Sequence, residues 1–139
     1  MSDQAIESSS RVLSSGFIGQ GEHVNTFESS LSQVLGVMGV LSTNSATSAE
    51  HLIYHCLRKD ARFEFTNHLS ERFTVNWDGL DDNSEVLATP LTCTATNWPI
   101  LANNLKIKWV DIDPHSLAID FCDLRRKLSP TTRIISLVH

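Results

Sequence analysis

The sequence is poor in cysteine and has no long apolar run and no excess of basic charge. Its three cysteines, Cys56, Cys93 and Cys122, are odd in number, widely spaced and without a CxxC pair. That argues against a disulfide framework or a zinc site and fits reduced thiols in a cytoplasm. No stretch approaches the ~18 apolar residues needed to cross a bilayer, and the polar, serine-rich residues 1–11 lack the apolar core of a signal peptide. Eleven Lys and Arg stand against sixteen Asp and Glu, a net charge of -5, so there is no global electrostatic footprint for nucleic acid or for an anionic membrane. A Walker-type GxxxxGKS/T loop is missing as well, and a nucleoside triphosphate is not indicated. The expectation is a cytoplasmic protein without nucleic-acid or membrane partners.

What is present suffices for one globular core, with 41% hydrophobic residues over 139 positions. Residues 1–14 read as a flexible leader. Gly16, Gly19 and Gly21 then mark a loop, and Val24, Phe27, Leu31, Val34 and Leu35 recur at helical spacing up to Gly36, a natural left-handed cap. Residues 37–41 form a short apolar run that predicts a buried strand. It leads through the polar turn 44–48 into a second helix with Ala49, Leu52, Ile53, Cys56 and Leu57 on its apolar face. The same strand, turn and helix order returns at 85–88, 89–94 and 95–102, although Pro99 blurs that helix's start. Further strands are predicted at 107–112 and 133–138, with a helix from about 120 to 128 between them. This alternation predicts an α/β fold, a mostly parallel sheet flanked by helices.

Residues 58–84 are too long for an ordinary connection. Two polar–apolar alternating stretches, 62–66 and 72–77, make them an insertion that can form a β-hairpin, with 67–71 as its turn.

Local chemistry concentrates at two helix starts. In the run Asn44, Ser45, Ala46, Thr47 and Ser48, hydroxyls and uncommitted amides at a helix N-terminus read either as a plain capping run or as a phosphate site. Cys93 reads either as a small buried residue at a helix start or as a polarizable group able to lie against a ring. Asp111 and Asp113 read as turn residues, and no metal site is assigned.

Taken in order, several segments resemble the N-terminal half of the DegT/DnrJ/EryC1/StrS aminotransferases. They are Gly16 to Gly21 with Thr26, Phe27 and Glu28; Asn44 to Leu52; Thr89 to Thr96; Val110 to Pro114; Leu128 to Ile135; and Val138 with His139. The resemblance implies the large domain of a fold type I pyridoxal-phosphate-dependent transferase, carried by residues 15–139, and a homodimer with active sites at the subunit interface. It implies that Ala46 and Thr47 hold the phosphate of pyridoxal 5'-phosphate and that Cys93 stands where the family often stacks an aromatic side chain on the cofactor ring. Gly19 and Gln20 match a loop near the active-site entrance that contacts substrate, and His139 matches a histidine near the cofactor.

The family's aspartate that pairs with the pyridine nitrogen and its lysine that bonds the cofactor lie farther along than His139. Lys59, Lys106, Lys108 and Lys127 do not occupy that motif, and solvated lysines are the default there. No catalytic residue is assigned. The resemblance therefore implies an aminotransferase acting on nucleotide-linked keto-sugars, with an amino donor such as glutamate, and a chain truncated before its catalytic lysine. A sugar dehydratase of the same family, a non-catalytic fragment and an unrelated nucleotide-binding α/β module stand as the alternatives.

Overall fold

A computed structural model describes residues 2–66 and 71–138. The chain divides into two units, Met1–Thr43 and Asn44–His139. In the first, Ser2 opens α1 (Asp3–Ser15) by accepting the Ala5 N–H at 3.3 Å, and Gly16 closes it at φ 72°. The stretch read as a flexible leader is thus helical: one side-chain cap and one left-handed glycine define its ends in spite of weak helix formers between them. Helix α2 (Glu22–Leu35) runs where the apolar spacing predicts and stops at Gly36, φ 65°.

Residues 37–41 are not a strand, contrary to the sequence expectation. A strand needs a ladder partner, and both backbone groups of Val37 are already taken by Ser32. The Val37 N–H donates to the Ser32 carbonyl at 3.1 Å, and the Ser32 hydroxyl donates to the Val37 carbonyl at 2.6 Å. Val37, Met38 and Leu41 are accordingly exposed. The Glu28 carboxylate accepts both the N–H and the hydroxyl of Ser42 at 2.7 Å, and these bonds hold it below the usual carboxylate range.

The second unit carries, in order, α3 (Ala46–Cys56), β1 (Ala61–Thr66), β2 (Arg72–Trp77), β3 (Glu85–Ala88), α4 (Thr94–Ala102), β4 (Lys106–Trp109), α5 (Phe121–Lys127) and β5 (Thr132–Ile135). Three strands form a parallel sheet in the order β4-β3-β5. Central β3 is buried on both faces, and its alternating side chains divide the core in two. Val86 and Ala88 join Tyr54, Leu80, Ile100 and Leu105, under α3 and α4, while Leu87 joins Val110, Ile119 and Leu124 on the α5 side. Helices on both faces are what a parallel strand of this kind needs, since each fully buried Val or Leu contributes about 1.5–3 kcal/mol only when covered.

Several boundaries moved for local reasons. The strand predicted at 107–112 ends at Trp109 because the Asp111 N–H turns away to the Asp123 carboxylate at 2.8 Å. Beyond Ile135 the Ser136 N–H still reaches the Leu87 carbonyl at 2.8 Å. Helix α4 starts at Thr94 and includes Pro99, which is buried. The insertion carries an antiparallel pair, Ala61 opposite Trp77 through Thr66 opposite Arg72; the turn expected to join them lies, at 67–70, outside the described residues. Its base is fixed where the Trp77 indole N–H donates to the Leu57 carbonyl at 2.7 Å, with the Arg133 guanidinium 4.8 Å over the ring. Among the described residues no helix is long and apolar enough to cross a membrane.

Candidate functional site

In a parallel sheet the loops that follow the strands gather at one edge, where ligands of α/β folds bind. Helix α4 follows β3 directly, so its first turn lies at that edge and its end, Asn103, lies at the opposite one. Helix α3 has the same direction. Its C-terminal Leu57 carbonyl accepts the Leu80 N–H at 3.0 Å, and Arg58 pairs with Asp82 and donates to the Asn103 carbonyl, all groups on the approach to β3 or the end of α4. Asn103 also donates to the His51 carbonyl at 3.3 Å, which sets the two helices side by side. The start of α3 therefore points, like that of α4, toward the edge where β3 ends. Tyr54, tilted back toward its helix N-terminus, shares a hydrogen bond with Ser136 beyond β5, and its burial raises the phenol above its ordinary value.

Ser45 caps α3. Its hydroxyl oxygen accepts the Ser48 N–H at 3.1 Å and its carbonyl accepts the Ala49 N–H at 3.2 Å. Helix geometry offers no internal acceptor to the first-turn N–H groups, so those of Ala46 and Thr47 have none among the described residues. Ala46 is exposed and small, and Thr47 is half-buried with its hydroxyl on the same turn. Two amides, a hydroxyl and the positive end of the helix dipole form a donor set for a dianion, and no carboxylate lies within the turn to oppose it.

Cys93 is the N-cap residue of α4, exposed, with no side-chain capping bond. The reading of it as a buried residue is corrected: the loop after β3 lifts it to the surface. Beneath it Thr89 and Asn97 are buried, and Thr92 donates to the Thr96 hydroxyl at 3.0 Å. The structure thus brings Ala46, Thr47 and Cys93 to one edge of the sheet. Gly19 and Gln20 are exposed in the loop between α1 and α2, in the other unit. His139 lies outside the described residues.

The third loop at this edge holds a group that sequence reasoning missed. Asp123, buried on α5, accepts the Asp111 N–H and pairs with Arg126 and Lys127; these bonds drive its carboxyl far below the ordinary range. Lys127 at the same time donates to the Trp109 carbonyl at 2.7 Å. The signal was an acid three and four residues before two cations on a short helix, which reads as an ordinary surface pair until Asp111 comes to meet it. Asp113 is a turn residue as expected, accepting the His115 N–H at 2.9 Å and the Ser116 hydroxyl at 3.0 Å.

The comparisons with known proteins agree on one group. AtS13 from Actinomadura melliaura is 40% identical, aligned over 96% of this chain and 31% of its own, with a TM-score of 0.73. The sugar aminotransferase CalS13 from Micromonospora echinospora is 37% identical over 100% of this chain and 32% of its own, with a TM-score of 0.74. A GDP-4-keto-6-deoxy-D-mannose-3-dehydratase from Escherichia coli, solved with bound hydrated pyridoxal phosphate, shares the fold at a TM-score of 0.74 and 23% identity, over 97% of this chain and 31% of its own. The chain thus spans less than a third of each of these proteins. The model of the DegT/DnrJ/EryC1/StrS aminotransferase family matches residues 1–139, and with the parallel sheet and its donor-lined edge in place, the chain belongs to that family.

Proposed function

We propose that this chain supplies the phosphate-holding edge of a pyridoxal 5'-phosphate enzyme that transfers an amino group from a donor such as glutamate to a nucleotide-linked keto-sugar. The observation that carries the reading is the start of α3, where Ala46 and Thr47 keep two amides and a hydroxyl for a dianion. When bound, the cofactor supplies an aldehyde that takes up an amino group from one substrate and an amine that gives it to the next. Thr47 and the two amides would hold the phosphate and so anchor one end of the cofactor. Cys93, exposed at the start of α4, would offer its polarizable sulfur to the cofactor's ring. Gly19 and Gln20 contact the sugar substrate, and His139 lies near the cofactor. The lysine that bonds the cofactor belongs to the remainder of a longer protein, which works as a homodimer in the cytoplasm.

Amino transfer is favoured over dehydration by the 37% identity to a protein described as a sugar aminotransferase. The test is to express this segment in its longer protein, load it with pyridoxal phosphate, and supply glutamate with a nucleotide-linked keto-sugar. Stoichiometric 2-oxoglutarate and a sugar one amine richer are expected. Loss of a sugar hydroxyl as water without net amine gain would overturn amino transfer in favour of the dehydratase.

A further inference from the structure

Beneath the loop that joins β3 to α4 sits a buried amide that the fold uses only in part. Asn97, in the first turns of α4, shares the sheet-facing side of that helix with Ile100, which joins Val86 and Ala88 of β3 in the core. Asn97 is 9% exposed. Its side chain, tilted toward the helix N-terminus, donates from Nδ2 to the Thr89 carbonyl at 3.4 Å. Its Oδ1 is enclosed and has no donor among the described residues. Turning the amide over would set oxygen against oxygen at Thr89, so the orphan atom stays where it is. A buried acceptor without a donor has lost its hydration uncompensated. Leucine, close to asparagine in size, would forgo one long hydrogen bond and remove that orphan, so stability has little to gain from an asparagine here.

What the bond holds is the loop. Thr89 directly follows β3, and its carbonyl fixes the direction in which the chain leaves the strand. Farther along the same loop, Cys93 is exposed and makes no side-chain capping bond. Its place therefore follows from how the loop is tied down, at Thr89 by Asn97 and at Thr92 by the Thr96 hydroxyl, 3.0 Å away. We propose that Asn97 is a positioning residue, which through the Thr89 carbonyl sets the course of residues 89–93 and so the place of Cys93 at the candidate site. The functional half of this assignment rests on the reading in which Cys93 offers its sulfur to the cofactor's ring. The hold on the loop is independent of that reading.

A nitroxide spin label on Cys93 tests the hold, in this chain with Cys56→Ser and Cys122→Ser; the same chain labelled at Cys122 alone is the reference. With Asn97 in place the Cys93 label is expected to give a restricted line shape. Asn97→Leu, and separately Asn97→Ala, are expected to raise the mobile component at Cys93 about threefold or more, the fold-change of one lost hydrogen bond, with the Cys122 label unchanged. The urea midpoint of Asn97→Leu stays near that of the wild type, because one unpaired acceptor, Oδ1, is exchanged for another, the Thr89 carbonyl. Binding gives the second readout. Acting at the ring and not at the phosphate, Asn97→Leu is expected to weaken pyridoxamine 5'-phosphate roughly two- to tenfold and to leave inorganic phosphate unchanged, whereas Thr47→Ala weakens both. A Cys93 label equally mobile in the wild type and both variants overturns the proposal. So does mobility that rises at Cys122 as well with a lower urea midpoint, the mark of a residue that only supports the fold, and so does a loosened loop with undiminished affinity for pyridoxamine 5'-phosphate. Thr47→Ala without effect on either ligand would contradict the phosphate reading instead, and the label at Cys93 then decides the role of Asn97.

Discussion

The carboxylate of Asp123 accepts the backbone N–H of Asp111 at 2.8 Å, so a side chain on α5 ends the strand β4 and aims the loop that follows. With Arg126 and Lys127 also on it, this carboxyl titrates well below its ordinary value, and Glu28 and Glu85 are lowered too. A group depressed in the folded state stabilises it at pH above the unfolded value, roughly 4 for a carboxyl, and loses that contribution as pH falls toward the folded value. The urea midpoint is therefore expected to fall between about pH 5 and pH 3. Asp123→Asn removes the largest depressed carboxyl and is expected to flatten that dependence. An unchanged slope in the variant would show that Asp123 does not carry it.

Gly79 sits at φ 81°, and a Cβ there would stand 2.6 Å from the Arg58 carbonyl oxygen. Both the backbone angle and the close approach exclude a side chain, since the contact is to main chain that cannot swing away. Gly79→Ala is expected to lower the unfolding free energy by about 1–3 kcal/mol, read from urea denaturation. A neutral outcome would mean that the junction of hairpin and α3 relaxes freely.

Asn103 ties the helices whose first turns meet at the candidate site. Its side-chain amide donates to the Pro99 carbonyl at 2.8 Å and the His51 carbonyl at 3.3 Å, and its own carbonyl accepts from Arg58. Asn103→Ala removes both side-chain hydrogen bonds, each worth about 0.5–1.5 kcal/mol, and is expected to cost about 1–3 kcal/mol in all. Urea denaturation measures it, with hydrogen exchange at the end of α3 reporting whether the loss is local.

Residues governed by short-range rules were legible. Gly36 ended α2 at a left-handed turn, the alternation around Phe63 and Val75 announced the hairpin pair, and the apolar 85–88 became the buried central strand. Position 37 was not, because an apolar run does not disclose whether its backbone will find a ladder or, as here, a serine five residues back. Helix α1 stayed hidden behind consecutive serines, whose capping preference masks a helix. At the candidate site, the start of α3 could be read as a donor set from Ser45 to Ser48 because caps are local. The buried Asp123 could not, since its decisive partner lies twelve residues away and only the turn after β4 brings it into reach.

The claim that most needs testing is that the start of α3 holds the cofactor's phosphate. Pyridoxamine 5'-phosphate and pyridoxamine, which lack the aldehyde and so cannot label stray lysines, give the direct measurement by calorimetric titration of this chain and its Thr47→Ala variant. Loss of one hydrogen bond to a charged group is expected to weaken the phosphorylated ligand by roughly ten- to a hundredfold while leaving pyridoxamine unaffected. Equal affinity of wild type and variant for the phosphorylated ligand, or equal affinity of wild type for the two ligands, would contradict the account.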